Sequence, residues 1–433
     1  MTFRPIDSHH VLSRRSTLTA AGIAAVSALG VDGAEARSRH PSTSSRSGLA
    51  PEAEPIAENL LDTTPENQAA TYRHVDRQRL AIRAIHTDPA RTTPLPRNGT
   101  SLSDVCYVYK GTRRTVESFV SDNRIAGLLV LKDGAIAHEQ YAMGNTETTR
   151  WTSMSIAKSV TATLIGAALA DGAIGGLDDP VLRYVPELNG SAYQDNTIRQ
   201  LLQMSSGVKW IEAGANDPYG DNDIARMFKG IYGKQRGAVM ELMRTRPRAA
   251  APGSVFNYST GEAYVLSAVV ANATGKTASH YLSERIWRPL GMEADAYWIL
   301  DAPGGREMGG SCIQATLRDY GRFGQFILTG GDGVVPRGWR DRAGRPESRI
   351  TDYGRLYEGS PYGYGYLWWA IPPGVAGARG PVPTFVGLGH GGQKLYINPA
   401  EGVVAVLWSA LRPGVDVDPE FFALLDSVVH ALR

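Results

Sequence analysis

The chain has 433 residues, 42% hydrophobic and 20% charged, with 45 basic against 43 acidic side chains and a net charge of +2. That balance leaves no field to gather nucleic acid or an anionic membrane, and no apolar run reaches the ~18 residues of a membrane span. With only Cys106 and Cys312, neither a disulfide framework nor a cysteine metal knuckle can form, and the length suits two or three compact units.

Residues 1–36 read as an export signal. Ser13-Arg14-Arg15-Ser16 precedes an Ala-rich apolar stretch over 17–31, and Ala34-Glu35-Ala36 supplies an A-x-A cleavage pattern. The paired arginines resemble the twin-arginine type, which predicts a mature chain starting near Arg37 in the periplasm or outside the cell. Cys106 and Cys312 can be bridged there, although two distant cysteines are more often free and buried. Residues 37–66, rich in Ser, Pro, Arg and Glu without periodicity, read as a flexible linker.

A short helix is expected within 67–86. Residues 126–142 read as a hairpin turning at Lys132-Asp133-Gly134. Apolar positions recur at helical spacing over 155–170, and Gly172 stops that helix. Further helices are predicted over 198–204, over 259–273 before Gly275, and over 316–328 before Gly330-Gly331. Strand character returns at 364–371, and 394–397 with 403–408 flank a hairpin loop; residues 420–432 read as a closing helix. Strands at both chain ends predict one sheet built from 67–165 and 351–433, with 166–350 as a helical insertion.

The chain has no G-x-S-x-G elbow and no H-E-x-x-H, which argues against an α/β-hydrolase and a zinc site. It has two S-x-x-K matches. Ser206-Gly207-Val208-Lys209 contains glycine and reads as a turn. Ser155-Ile156-Ala157-Lys158 opens a helix, where i and i+3 share a face and the amine can reach the hydroxyl. A serine at a helix N-terminus sits in positive backbone potential, and a desolvated lysine can act as its base. Tyr258-Ser259-Thr260 opens another helix, and a phenol beside a lysine can pass a proton. His390-Gly391-Gly392 sits at the start of an apolar strand, where glycines at the strand edge let substrate lie along the backbone and the Gln393 amide can face an oxyanion. A Ser-His-Asp arrangement using His138 or His390 is the competing chemistry. Tyr366, Trp368 and Trp369 fit pocket walls or core packing equally well.

In this order, Ser155-x-x-Lys158, Tyr258-Ser259-Thr260 and His390-Gly391-Gly392 resemble the three motifs of the serine beta-lactamase-related hydrolases. Arg150-Trp151-Thr152-Ser153-Met154 before Ser155, Phe256-Asn257 before Tyr258, and Gly309-Gly310-Ser311-Cys312-Ile313-Gln314-Ala315-Thr316 are similar to the 6-aminohexanoate-dimer hydrolase branch. The resemblance implies an α/β (α+β) fold: an antiparallel sheet flanked by helices, with an inserted all-helical domain. It implies Ser155 as acylated nucleophile, Lys158 as base and Tyr258 as proton shuttle. The amides of Ser155 and Gln393 would form the oxyanion hole, and Thr260, His390, Gly391 and Gly392 would bind substrate. It implies no metal or organic cofactor and a small-molecule ester or amide substrate.

Two departures shape that expectation. Thr260 stands where beta-lactamases carry Asn, and His390 stands where they carry Lys to meet a carboxylate. Both weaken the hold on a penicillin-like acid and favour a neutral ester or linear amide over a beta-lactam or a D,D-peptide. Some relatives with this fold serve as sensors without turnover, which is the non-enzymatic alternative.

Overall fold

The computed structural model describes residues 54–433 except 213–219, 332, 348–361, 375–377, 379–381 and 413. The export signal expected at 1–36 and the first part of the expected linker lie outside the described residues.

The main sheet has seven antiparallel strands. β4 (Ile125–Lys132) and β5 (Ala135–Tyr141) come from the first part of the chain. β9 (Gly363–Tyr364), β10 (Trp369–Ile371), β11 (Thr384–Gly389), β12 (Gln393–Asn398) and β13 (Val403–Ser409) come from its end. The spatial order β5-β4-β13-β12-β11-β10-β9 joins the two ends through the β4–β13 pair. The β4–β5 loop is Asp133-Gly134, both with positive φ (50° and 82°), the geometry a two-residue hairpin requires.

Helices cover both faces. On β12, Leu395 and Ile397 approach Gly324 of α9 (Leu317–Leu328), whereas Tyr396 meets Phe421 of α11 (Asp418–Ala431). Alternate side chains of one strand therefore face different helices, so β4, β12 and β13 are buried almost throughout and read as continuous apolar runs. Other helices are α1 (Gln68–Arg73), α2 (Val116–Asp122), α3 (Ala157–Ala170), α4 (Ile198–Leu202), α5 (Asp223–Tyr232), α6 (Ala238–Thr245), α7 (Thr260–Thr274), α8 (Ala278–Leu282) and α10 (Trp339–Ala343).

A second sheet, order β1-β7-β8-β6, is formed by β1 (Ile82–Ile85), β7 (Ala296–Ile299), β8 (Ile313–Thr316) and β6 (Arg150–Thr152). A separate hairpin pairs β2 (Cys106–Tyr109) with β3 (Thr112–Thr115). The stretch 166–350 is therefore not all-helical: it supplies β7 and β8 as well as α9, which packs on the main sheet. The linker reading also ends early. Ala57 and Leu60 are buried, with their amides donating to Thr71 Oγ1 (2.9 Å) and Tyr232 Oη (2.7 Å). The expected strand over 364–371 is two strands, broken by a turn at 365–368.

Candidate active site

The small sheet delivers two loops side by side. β6 runs into Ser153, whose amide donates to Ile313 O (2.8 Å) and whose hydroxyl accepts from Ile313 N (3.0 Å). The chain then makes one 3-10 turn, Met154–Ile156, before α3 begins at Ala157. Ser155 thus sits just ahead of the α-helix rather than inside it. Met154 takes a positive φ of 46° to make that turn. Ser155 is half-buried, and Lys158, one turn on, is fully buried.

Three oxygens surround the Lys158 amine. Nζ lies 2.9 Å from Ser155 Oγ, 2.8 Å from Thr260 Oγ1 and 2.9 Å from Gly310 O. It also stands 4.7 Å from the centre of the Tyr258 ring. Burial pulls its pKa down to about 8, partly opposed by the negative charge of Glu212. A buried amine near neutrality can hold or take a proton at physiological pH, as a base beside a serine must.

The second motif enters at the start of α7. Ser259 caps the helix, accepting from Glu262 N at 3.2 Å. Tyr258 precedes the cap; its ring stacks on Trp369 (5.4 Å, 27°) and meets the edge of Tyr364 (6.0 Å). Trp369 is buried among Phe256, Tyr258 and Tyr364 and braces Tyr258, whereas Trp368 packs on Phe385 and Tyr366 on Trp339. Thr260 was expected to bind substrate. It is buried, and its hydroxyl is committed to Lys158 on one side and to Glu212 Oε1 (2.5 Å) on the other.

The third motif departs from expectation in shape. His390-Gly391-Gly392 forms a tight turn between β11 and β12, not the start of a strand. Gln393 pairs with Gly389 across the hairpin, and its side chain is held by Trp151 Nε1 (2.9 Å) and by Ser409 N (3.0 Å) and O (2.7 Å). Gly389 abuts the Ser155 turn. A Cβ there would lie 2.5 Å from Ser153 O and 3.1 Å from Met154 Cβ. His390 is exposed, yet surrounding protein lowers its pKa by desolvation; an open ring hemmed by protein is what a cleft wall presents.

The sequence reading missed two contributors. Glu212 accepts from Thr260 N (3.0 Å), from Thr260 Oγ1 and from Trp210 Nε1. A single glutamate outside the Ser155, Tyr258 and His390 motifs carries no pattern to mark it. The carbonyl of Gly310 was noted only within a resemblance, and a backbone oxygen has no sequence signal of its own.

Other candidates separate from this site. Ser206 of the second S-x-x-K is buried, donating to Glu262 and accepting from Val208 N (3.0 Å), while Lys209 is exposed. His138 contacts Gln140 (3.2 Å) on β5. Both cysteines are free. Cys312 is buried against Ser311 Oγ (2.8 Å), with its thiol pushed up to about 11 by burial. A hollow of about 680 Å³ includes Arg83, Arg183, Lys276 and Arg306 but shares no residue with this site. Each of those cations is paired, with Glu307, Asp179, Glu284 and Glu187 respectively. Among the described residues no group of three His, Cys, Asp or Glu can hold a metal, and no helix is long and apolar enough to cross a membrane.

Comparison with known proteins gives a consistent result. The family model described as beta-lactamase matches residues 112–428. The 6-aminohexanoate-dimer hydrolase of Paenarthrobacter ureafaciens is 29% identical over 310 residues, 67% of this chain and 76% of that protein. Esterase EstB of Burkholderia gladioli is 29% identical over 187 residues, 42% of this chain and 46% of its own. A structure from Bacillus anthracis, described as a candidate 6-aminohexanoate-dimer hydrolase, superposes with a TM-score of 0.76 at 24% identity, covering 89% of this chain and 99% of that one.

Proposed function

Because the chain belongs to the beta-lactamase family of serine hydrolases, we propose that it cleaves neutral esters or linear amides through an acyl-enzyme on Ser155. Lys158 takes the Ser155 proton as Oγ attacks the substrate carbonyl. Tyr258 relays that proton to the departing alkoxide or amine. A water then enters, gives its proton back along the same route, and releases the acid. The tetrahedral oxyanion is held by the Ser155 amide at the mouth of α3 and by a second amide from the β11–β12 hairpin. Gln393 was expected to supply that second amide. The Gly389–His390 end of β11, which packs against the Ser155 turn, is a second candidate for that amide.

The observation that carries this reading is the Lys158 amine, buried, 2.9 Å from Ser155 Oγ and near neutrality. The substrate class is supported by His390, whose desolvated imidazole offers little charge to a carboxylate, and by relatives named for a linear amide and for an ester. Export through the paired arginines of the leader is part of the same proposal.

The test is a panel holding a short p-nitrophenyl ester, a linear aminohexanoate dimer and a chromogenic cephalosporin, each with wild type and Ser155→Ala. The reading predicts turnover of the ester or the dimer that falls by about 10⁴-fold or more in the variant. Turnover that survives Ser155→Ala removes the nucleophile. A preference for the cephalosporin overturns the substrate class. Acylation without release identifies a sensor.

A further inference from the structure

We infer that Glu212 is a positioning residue: it fixes the direction of the hydrogen bonds around Lys158 and so aims the amine's lone pair at Ser155. The inference rests on the Ser155–Lys158 reading above. A neutral amine has two N–H groups and one lone pair. Gly310 O can only accept, so it takes one N–H across 2.9 Å. Thr260 Oγ1, at 2.8 Å, can accept or donate, and on its own leaves the arrangement undecided.

Glu212 decides it. An ionised carboxylate only accepts. Its Oε1 lies 2.5 Å from Thr260 Oγ1, so the threonine hydroxyl must donate to it. Thr260 then has only lone pairs left for Lys158 and takes the second N–H. Both amine hydrogens are committed, and the lone pair is left facing Ser155 Oγ at 2.9 Å, where the serine hydroxyl donates into it.

The carboxylate is itself held in place. Its Oε2 accepts from Thr260 N (3.0 Å) and Trp210 Nε1. The segment before it is gripped by Asn257 Nδ2 on Val208 O (3.4 Å) and Trp210 O (3.2 Å), and Ile211 N donates to Asp223 Oδ2 (2.8 Å).

This geometry makes glutamine worse than alanine at position 212. Two N–H donors face Oε2, so glutamine must keep its oxygen there and turn its NH₂ toward Thr260 Oγ1. The threonine hydroxyl then points at Lys158 and competes with Ser155 for the lone pair. Alanine leaves room for a water, which can accept from Thr260 and preserve the direction.

The experiment is a kinetic cycle on the full chain with an ester it turns over: wild type, Glu212→Gln, Glu212→Ala, Thr260→Val and Glu212→Gln/Thr260→Val, each checked by thermal melting. Glu212→Gln is expected to lower kcat at least tenfold with KM little changed, and to lower it more than Glu212→Ala. In the Thr260→Val background, Glu212→Gln is expected to change kcat less than threefold, because the hydroxyl whose direction it reverses is gone. Equal losses in both backgrounds, or alanine worse than glutamine, would overturn the inference. If the glutamine variant does not fold, Glu212→Leu, which accepts no hydrogen bond and leaves no room for a water, replaces it in the same cycle, and equal losses in the two Thr260 backgrounds overturn the inference. A wild-type rate independent of Ser155 would instead defeat the reading beneath it.

Discussion

Lys158 has a low pKa for a lysine because it is buried, and the negative charge of Glu212, which also accepts from the Thr260 hydroxyl, partly restores it. Cys312, the other titratable group acting on it, is a neutral thiol across the working range. A lysine base works when neutral. Activity is therefore gained as pH rises through about 8 and lost below it. A pH profile of kcat/KM should show an acid limb near that value, and Lys158→Met should lower the rate by about 10²–10⁴-fold. A flat profile from pH 6 to 9 would assign the base elsewhere. The meeting of Ser155 with Lys158 was legible because three-residue spacing brings side chains together on consecutive turns. The placing of Thr260 behind Lys158 was not, since a threonine at a helix start reads the same whether it faces substrate or a lysine.

At the scale of elements, the site exists because β6 and β8 are neighbours. Each leads to one part of it, the Ser155 turn and the 309–312 loop, and α7 closes against both. The loop packs tightly on α7: a Cβ on Gly310 would fall 2.7 Å from Thr260 O and 2.8 Å from Thr260 Cγ2. Gly310→Ala should cost about 1–3 kcal/mol of stability by overpacking. It should also lower kcat well beyond what partial unfolding explains, because it moves both an acceptor of Lys158 and Thr260. Melting and kinetics on one sample separate the two effects; a stability loss with kcat intact would show that the loop only packs. The longer helices and the two hairpins were legible from periodicity and turn residues. β1, β7 and β8 were not, because strands of four residues are too short for an alternation to register against their surroundings. The 390–392 turn was misread for a related reason: three residues with two glycines fit a strand edge and a tight turn equally.

Across the whole molecule, buried acids tie stability to pH, and Glu262 shows the largest effect of burial; Asp319 is raised in the same direction. Glu262, on the first turn of α7, accepts from Ser206 through Oε1, and its Oε2 is buried with no hydrogen-bond partner. Burial raises its pKa to about 8, from 4.5 when exposed, with the Ser206 bond opposing. A carboxyl whose pKa is raised by folding contributes stability in full below the unfolded value. That contribution is lost as pH rises through the folded value, so it declines between 4.5 and about 8. Lys158 has the opposite slope at higher pH: its pKa is lowered on folding, so its share of stability rises between about 8 and 10.5. The Glu262 share of stability should therefore fall from pH 5 to 8, opposed at its lower end by His74, His138 and His390, whose pKa values burial lowers; Glu262→Gln should remove that fall and raise the melting temperature at pH 8. A fall of equal size in the variant would place the pH dependence in other groups.

Every step proposed for the site passes through acylation of Ser155. Its most direct measurement is mass spectrometry of the protein quenched during turnover of a slow ester, followed by peptide mapping. A mass increase equal to the acyl group is expected, located on Ser155 and absent from Ser155→Ala. An adduct on Ser206 or another residue, or steady turnover with no acylated species at any quench time, would contradict it.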